Sequence, residues 1–465
     1  MIAERILHPC SKLATTRHWH CSTLAEELGV ADATEDDLYE ALDWLLKRQP
    51  RIETKLAARH LSERAVVLYD VTSSYYEGHT CPLARFGHNR DGKIDRPIIV
   101  YGLLTDAAGR PVAAEVYPGN TGDPTTVPDQ VEKLRRRFGL ERVVLVGDRG
   151  MLTEAQIATL RTYPGLGWIS ALRGPDIQQL VASGSLQLSL FDECNLAEIH
   201  APEYPGERLV ACMNPLLAEQ RERKRKELIE ATERELARIA AEVKRRKRKP
   251  LTAADIELKT GKVLNRFKVA KHFSLTIADG VFEWSRREES IDREAALDGI
   301  YIVRTSEPKN RLSAADTVRR YKSLAQVERA FRTLKGIDLR VRPIFHRTED
   351  HVRAHIFLCM LAYYVEWHMR QALAPLLFDD EELNKLRWRR DPVAPAKTSP
   401  SAQRKKVARV TADGLPVQSF DTLLAHLATR CRNTCRIQGT AGDATFQQLT
   451  EATPLQARAF QLLRL

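Results

Sequence analysis

Asp70 closes the apolar run VVLYD, Asp148 closes VVLVGD, and Glu328 lies within the helical stretch YKSLAQVERAFRTLK. An ionised carboxylate at the end of a buried strand is costly unless it is paired or binds a cation. Two strand-end acids and one helix acid suit a pair of Mg²⁺ ions working on phosphodiesters. One ion lowers the pKa of the attacking water or sugar hydroxyl, and the other neutralises the leaving oxygen. Mg²⁺ prefers oxygen ligands and keeps several waters, so three carboxylates suffice for two ions. Mn²⁺, which also takes oxygen donors, is expected to substitute. A lone strand-end Asp also reads as a turn or cap residue; the paired setting is what points to a site.

The Glu328 stretch adds a second argument. Tyr321, Glu328 and Lys335 are seven residues apart, so on a helix they drift only about 20° per step. They would line one face over roughly 21 Å. A row of phenol, carboxylate and ammonium suits a phosphate backbone running past a metal site. Arg332 lies one turn from Glu328 near the same face, and Arg329 on an adjoining one. The alternative is a solvated helix with a Glu328–Arg332 ion pair worth about 0.3–0.5 kcal/mol. Arg149, directly after the second Asp, joins the candidate DNA contacts. Asp123 in GNTGDPTT reads as a helix N-cap or as an acid behind the metal ligands. His88, Arg90 and Lys93 in FGHNRDGK read as phosphate contacts or as a solvated loop.

Elements must hold these residues in place. Residues 1–62 read as helical: Thr34 and Asp37 resemble a capping box opening a helix over DDLYEALDWLLKRQ, and a second helix follows Pro50, from about Ile52 to His60. From 64 to 174 the pattern is strand and helix in the order β-β-β-α-β-α-β. It includes a hairpin about Asp106–Gly109, and a helix over TEAQIATLRTY with Thr153 as N-cap. Residues 175–298 break the pattern. They hold a long charged helix from about Leu216 to Lys249, with Ile229, Thr232, Leu236, Ile239 and Val243 as a narrow apolar seam, then short strands. DGIYIVRTS restores a strand before the Glu328 helix. Helices follow over 351–377, then a Pro-, Ser- and Lys-rich linker (381–404) and a small helical C-terminal region (405–465).

The chain has 465 residues, 43% hydrophobic and 29% charged, which is ordinary for a globular protein with several domains. Its net charge of +11 favours polyanionic partners, with nucleic acid first and anionic membrane second. The basic run KRRKRK (244–249) would contribute, either to DNA or to a solvated face. The eight cysteines show no CxxC pair, which argues against a zinc knuckle or a disulfide framework. MIAERILHPCSK has charges where a signal peptide needs an apolar core, and HIFLCMLAYYVEWHM is interrupted by Glu366. The expectation is a cytosolic protein with no membrane span, whose Tyr363, Tyr364 and Trp367 are core.

The Glu328 stretch resembles the Tyr-x2-Arg-x3-Glu-x6-Lys signature of DDE transposases of the insertion-sequence-4-type superfamily of bacterial mobile elements, with Leu324 in the place of the Arg. Arg332 or Arg329 is then left to supply that charge. YDVTSSYYEG resembles the first-Asp motif of a branch of that superfamily, and GNTGDPTT with VGDRGM resembles the segments before and at its second Asp. VERAFRTLK, VRPIFHR and HIFLCMLAYY continue the resemblance, in order, from about 60 to 380. It implies a ribonuclease-H-like α/β mixed-sheet core with an insertion before the Glu, here 175–298, and a core end at 299–380. It implies Asp70, Asp148 and Glu328 as catalytic metal ligands. Tyr321, Lys335, Arg332, Arg329 and Arg149 become DNA contacts. In some members an aromatic of the insertion receives a flipped base; Trp284 is the candidate, against a core role. The implied activity is cleavage at an element's terminal inverted repeats and joining to target DNA, with two Mg²⁺ ions, a paired-end homodimer, and a nucleoid-associated cytoplasmic location. Family members often carry more residues ahead of this start, so an end-binding region is expected to be partly missing. The alternatives are a stand-alone nuclease on the same fold and an inactive DNA-binding remnant.

Overall fold

The computed structural model describes residues 1–186, 191–192, 195–394, 396–436 and 445–465. They form two compact units, Met1–Ser170 with Thr305–Leu465, and Ala171–Arg304.

In the first unit, helix Glu35–His60 opens on the expected capping box: Thr34 N donates to Asp37 Oδ2 at 2.7 Å and Asp37 N to Thr34 Oγ1 at 3.3 Å. The helix does not break at Pro50 but runs through it. An interior proline costs about 3 kcal/mol. Here Leu38, Leu42 and Leu45 before it and Glu53 and Ala57 after it are all buried, so packing on both sides overrides the breaker. Glu53 is fully buried and binds Arg137 at 2.6 Å and the backbone N of Ala114 at 3.1 Å.

The central sheet of this unit contains β1 (Val66–Tyr75), β2 (Ile98–Asp106), β3 (Pro111–Pro118), β4 (Val143–Val146) and β5 (Leu166–Ala171), side by side as β3-β2-β1-β4-β5. The first three run antiparallel, and β4 and β5 are parallel to β1. Helices follow β3 and β4, at Val127–Glu132 and Glu154–Arg161, which gives the expected β-β-β-α-β-α-β order. This is a ribonuclease-H-like mixed sheet. The β2–β3 hairpin turns at Gly109, whose φ is +84° and whose N donates to Asp106 O at 3.0 Å. A Cβ there would stand 2.8 Å from Gln326 Cβ, so glycine also lets the turn approach the Glu328 helix. Thr153 precedes its helix in extended backbone but makes no side-chain cap.

Three further expectations change in this unit. The stretch from Tyr321 to Lys335 is not one helix: Ala314–Lys322 and Ala325–Lys335 are separated by Ser323 and Leu324. Both residues keep right-handed dihedrals, but the backbone tightens, with Leu324 N on Tyr321 O at 3.1 Å and Val327 N on Leu324 O at 2.9 Å. Ser323 Oγ donates back to Arg319 O at 3.0 Å and also accepts from Arg387. Such serine back-bonding bends helices. The expected linker 381–404 contains helix Leu383–Arg387 and the start of helix Pro400–Ala408. The C-terminal region is not purely helical: strands Arg432–Arg436 and Thr445–Leu449 pair between helices Phe420–Leu427 and Pro454–Leu463. These strands are almost wholly exposed, so no apolar alternation announces them.

In the second unit, strands Leu196–Ile199 and Arg208–Met213 pair antiparallel. Helix Pro215–Arg245 buries the expected seam, Ile229, Thr232, Leu236, Ile239 and Val243, and ends four residues before Lys249. The seam packs with helix Ala253–Phe267 and the hairpin Phe273–Ala278 and Val281–Arg286 in one apolar cluster. Cys194 lies outside the described residues. No described helix is long and apolar enough to cross a membrane.

Candidate active site

Asp70 does not end its strand. It is the fifth residue of the ten in β1, which pairs with β2 from Val67 to Tyr75. Its pairing with β4 is much shorter, running only from Val66–Val144 to Leu68–Val146. Asp70 therefore sits just where the parallel partner has stopped, and the continued register sets it level with residue 148. A strand can carry an acid in mid-run at such a place because one neighbour has left and the carboxylate gains an opening.

Asp148 follows β4 in a tight turn. Its Oδ1 accepts from Gly150 N at 2.9 Å and Met151 N at 2.7 Å, and its carbonyl accepts from Ser170 Oγ at 3.1 Å. Met151 and Leu152 are buried and anchor the turn, while Asp148 is exposed. Glu328 is in the first turn of helix Ala325–Lys335 and is exposed. Val327, Ala330, Phe331 and Leu334 are buried on the opposite side, with the Phe331 ring 5.9 Å from Tyr101 of β2 in an edge-to-face contact. The apolar face of that helix thus docks on the sheet and leaves the acid free.

The three acids act on one another. Burial pushes the Asp70 carboxyl up to about 7, with Asp148 and Glu328 adding to the rise. The Val71 N–H, 2.8 Å from Asp70 Oδ1, and the Arg90 charge oppose it. Tyr321 is pushed up to about 12 by burial and then by Asp148 and Glu328, while Arg149 pulls it down. Asp70, Asp148, Glu328, Tyr321 and Arg149 accordingly share one neighbourhood, despite the bend between Tyr321 and Glu328. The three carboxylates are not a closed cage: among the described residues no three His, Cys, Asp or Glu side chains form a ready metal cluster. The donor set still fits Mg²⁺. It is all hard oxygen, it carries an excess of negative charge that raises one of its own members, and Mg²⁺ is bound by one or two carboxylates with waters and substrate phosphates.

The remaining candidates fall elsewhere. Lys335 is largely buried: its Nζ donates to Ser73 O at 2.5 Å and Asp91 Oδ1 at 3.0 Å. Asp91, whose side chain is 2% exposed, also binds Arg342 at 2.5 Å and accepts from Tyr75 N at 3.2 Å. Lys335 therefore ties the Glu328 helix to the strand of Asp70 instead of reaching out to a phosphate. Asp91 was missed from sequence, where an acid among the bases of FGHNRDGK reads as loop. Arg329 and Arg332 are exposed on the Glu328 helix, with Arg329 beside Tyr363 and Arg387. Asp123 pairs with Arg90 at 2.5 Å and opens a short 3₁₀ turn without capping it. Trp284 belongs to the second unit's apolar cluster, edge-to-face with Phe273 at 6.0 Å. It is partly buried there and packs against the cluster's buried members. Tyr363 is buried and Tyr364 meets His60 at 2.9 Å.

The sequence matches the Transposase DDE domain family over residues 61–365, more than half of the chain and inclusive of all three acids. The chain belongs to the DDE transposase family. No curated protein sequence matches it significantly. Among solved structures it is similar to a piggyBac transposase synaptic complex with hairpin DNA, at 10% identity over 90% of this chain and 86% of that one, with a TM-score of 0.36. That overall likeness is too slight to add to the family assignment. For this transposase, DNA as partner and phosphodiester cleavage and transesterification as chemistry follow from the family.

Proposed function

We propose that this transposase binds the terminal inverted repeats of its own insertion sequence, cuts the DNA at the element's ends and joins the freed 3′ ends to target DNA. The observation that carries this reading is the mutual influence of Asp70, Asp148 and Glu328 within the matched domain. The three would hold two Mg²⁺ ions, with Mn²⁺ as a substitute, which when bound supply nucleophile activation and leaving-group neutralisation. Cleavage forms a bond from a water oxygen to phosphorus and breaks the bond to the 3′ oxygen of the element. That 3′ hydroxyl then attacks a target phosphodiester, forming a bond to its phosphorus, breaking the bond to the target strand's 3′ oxygen and leaving that oxygen as a new 3′ hydroxyl. Tyr321 and Arg149 stand beside the acids and would hold the phosphates on either side of the reacting one, with Arg332 and Arg329 farther along the helix. A homodimer would bring two ends together, in a nucleoid-associated, cytoplasmic setting in a bacterium.

A plasmid carrying the DNA that flanks the coding sequence tests this. Wild-type protein with Mg²⁺ should release the marked segment and give strand-transfer products. Alanine at Asp70, Asp148 or Glu328 should stop both while gel shifts on the ends persist. Cutting without transfer would support a stand-alone nuclease instead, and Mg²⁺-dependent cutting by the Asp148→Ala protein would defeat the site assignment.

A further inference from the structure

Four arginines crowd the bend between helices Ala314–Lys322 and Ala325–Lys335: Arg319, Arg320, Arg329 and, from helix Leu383–Arg387, Arg387. Arg319 is paired, with Asp316 at 2.8 Å. Arg320 has no such partner among the described residues. It is half-buried, its Nε is buried with no hydrogen-bond partner, and its guanidinium lies over the Trp388 ring, 4.6 Å from the centroid. Arg387, also half-buried, donates to Ser323 Oγ and, at 3.4 Å, to Arg319 O, and neither acceptor carries a charge. Arg329 stands exposed beside it. We propose that Arg320, Arg387 and Arg329 form a second phosphate site, which holds a phosphodiester of the bound DNA apart from the one at Asp70, Asp148 and Glu328. The inference rests on the functional reading above and extends it to where a further stretch of DNA backbone lies.

Charge balance and position carry it. A guanidinium drawn out of water is normally balanced by a carboxylate, because burial disfavours the charged form. Here burial and then the charges of Arg320 and Arg329 hold Arg387 below the usual guanidinium range. Burial lowers Arg320 too, against the pull of Asp316, whose carboxylate already binds Arg319. The cluster is therefore built at an electrostatic cost that a bound anion removes. Its place in the fold says which anion. Arg320 and Arg329 are each next in the chain to a residue of the acid site, Tyr321 and Glu328, and successive residues of a helix point about 100° apart. Both turn to the side where Arg387 feels their charge. Acids and arginines thus occupy adjoining faces of the same two helices, so DNA cut at the first face runs past the second. A planar guanidinium grips two phosphate oxygens at once, and stacking on an indole fixes its plane while leaving its N–H donors available. Such contacts set the position of the DNA and carry no base information. The element's end and the target duplex both offer this phosphate, and the assay separates them.

The test follows binding by fluorescence anisotropy over a series of KCl concentrations in Ca²⁺, with the full chain. One labelled duplex comes from the DNA flanking the coding sequence. A second, of unrelated sequence, is offered to protein already loaded with the first. Arg320→Met keeps the side-chain stem on the indole and Arg329→Gln changes an exposed position, so the double variant should fold, checked by its melting curve. Losing one phosphate contact should lower its slope of log K against log [KCl] by about 0.9, with affinity at 0.1 M KCl down about five- to tenfold. Arg320→Lys, which keeps the charge, should hold the wild-type slope; an arginine that only braced Trp388 would move the melting curve and not the slope. A fall on the flanking duplex places the phosphate in the element's end, and a fall confined to the second duplex places it in the target. An unchanged slope on both duplexes overturns the site alone. Should the double variant melt early, Arg329→Gln by itself is read the same way. If wild-type protein binds and cuts neither duplex, the functional reading is overturned and this inference with it.

Discussion

Asp70→Asn isolates the electrostatic cost of the candidate metal site. Burial, then the charges of Asp148 and Glu328, lift the Asp70 carboxyl from an ordinary 3.8 to about 7. That rise corresponds to about 4 kcal/mol, a ceiling that partial exposure of the residue lowers to about 2–3 kcal/mol. The folded value lies above the unfolded one. The stability tied to the protonated acid is thus fully present below about pH 4 and lost as pH rises through about 7, so that above it the ionised acid carries its full cost. Asparagine keeps the shape and carries no charge. In EDTA at pH 8, Asp70→Asn should therefore be more stable than wild-type by about 2–3 kcal/mol, and the two should converge near pH 4. Mg²⁺ at a hundred times its Kd would return about 2.7 kcal/mol to wild-type and little to the variant, closing the gap. Urea unfolding followed by tryptophan fluorescence, at both pH values with and without Mg²⁺, reads all four corners. A variant no more stable than wild-type at pH 8 in EDTA would refute the argument that burial and the two neighbouring carboxylates together penalise the ionised Asp70.

The Asp91 cluster should behave as a buried ion pair: Asp91→Asn leaves the Lys335 ammonium without its counter-charge and is expected to cost about 3 kcal/mol in urea unfolding, with Lys335→Met in the same chain restoring part of it. Independent, additive losses would count against the contact. His346 is pushed down to about 3 by burial, with Lys12, His351 and Arg5 adding to it, and the buried His355 is lowered as well. Depressed histidines bind fewer protons folded than unfolded, so stability is complete above about pH 6.5 and falls below it; His346→Gln should flatten that fall by up to about 1.4 kcal/mol per pH unit. Pro50 is exposed inside a continuous helix, so Pro50→Ala should raise stability by about 1 kcal/mol or more without changing the helical circular dichroism signal beyond a slight gain. A loss of stability would show that the proline shapes the helix usefully.

Local chemistry in the sequence was enough to nominate the acids, but not to describe their surroundings. Asp70 and Asp148 each follow a run of buried apolar residues, and their strands lie side by side as that pattern implies. That Asp70 lies in mid-strand depends on β4 being shorter than β1, which is a property of pairing and not of either run alone. The bend at Ser323 rests on Arg387, 64 residues away, and the burial of Lys335 on Asp91, 244 residues away. Heptad spacing placed Tyr321, Glu328 and Lys335 on one face, but tertiary partners decide that Tyr321 meets the acids while Lys335 turns inward. Pro50 shows the same hierarchy, since propensity yielded to the apolar face on either side of it. The exposed C-terminal hairpin had no burial pattern to reveal it.

Asp70, Asp148 and Glu328, far apart in the chain, are proposed to hold the same metal ions. Substituting Fe²⁺ for Mg²⁺ and generating hydroxyl radicals at the bound ion would cut the polypeptide wherever it lies beside the metal. Three cuts are expected, near residues 70, 148 and 328, all suppressed together by excess Mg²⁺ and all lost in Asp70→Asn. Cuts at only one of the three segments, or cuts elsewhere that Mg²⁺ suppresses, would contradict it.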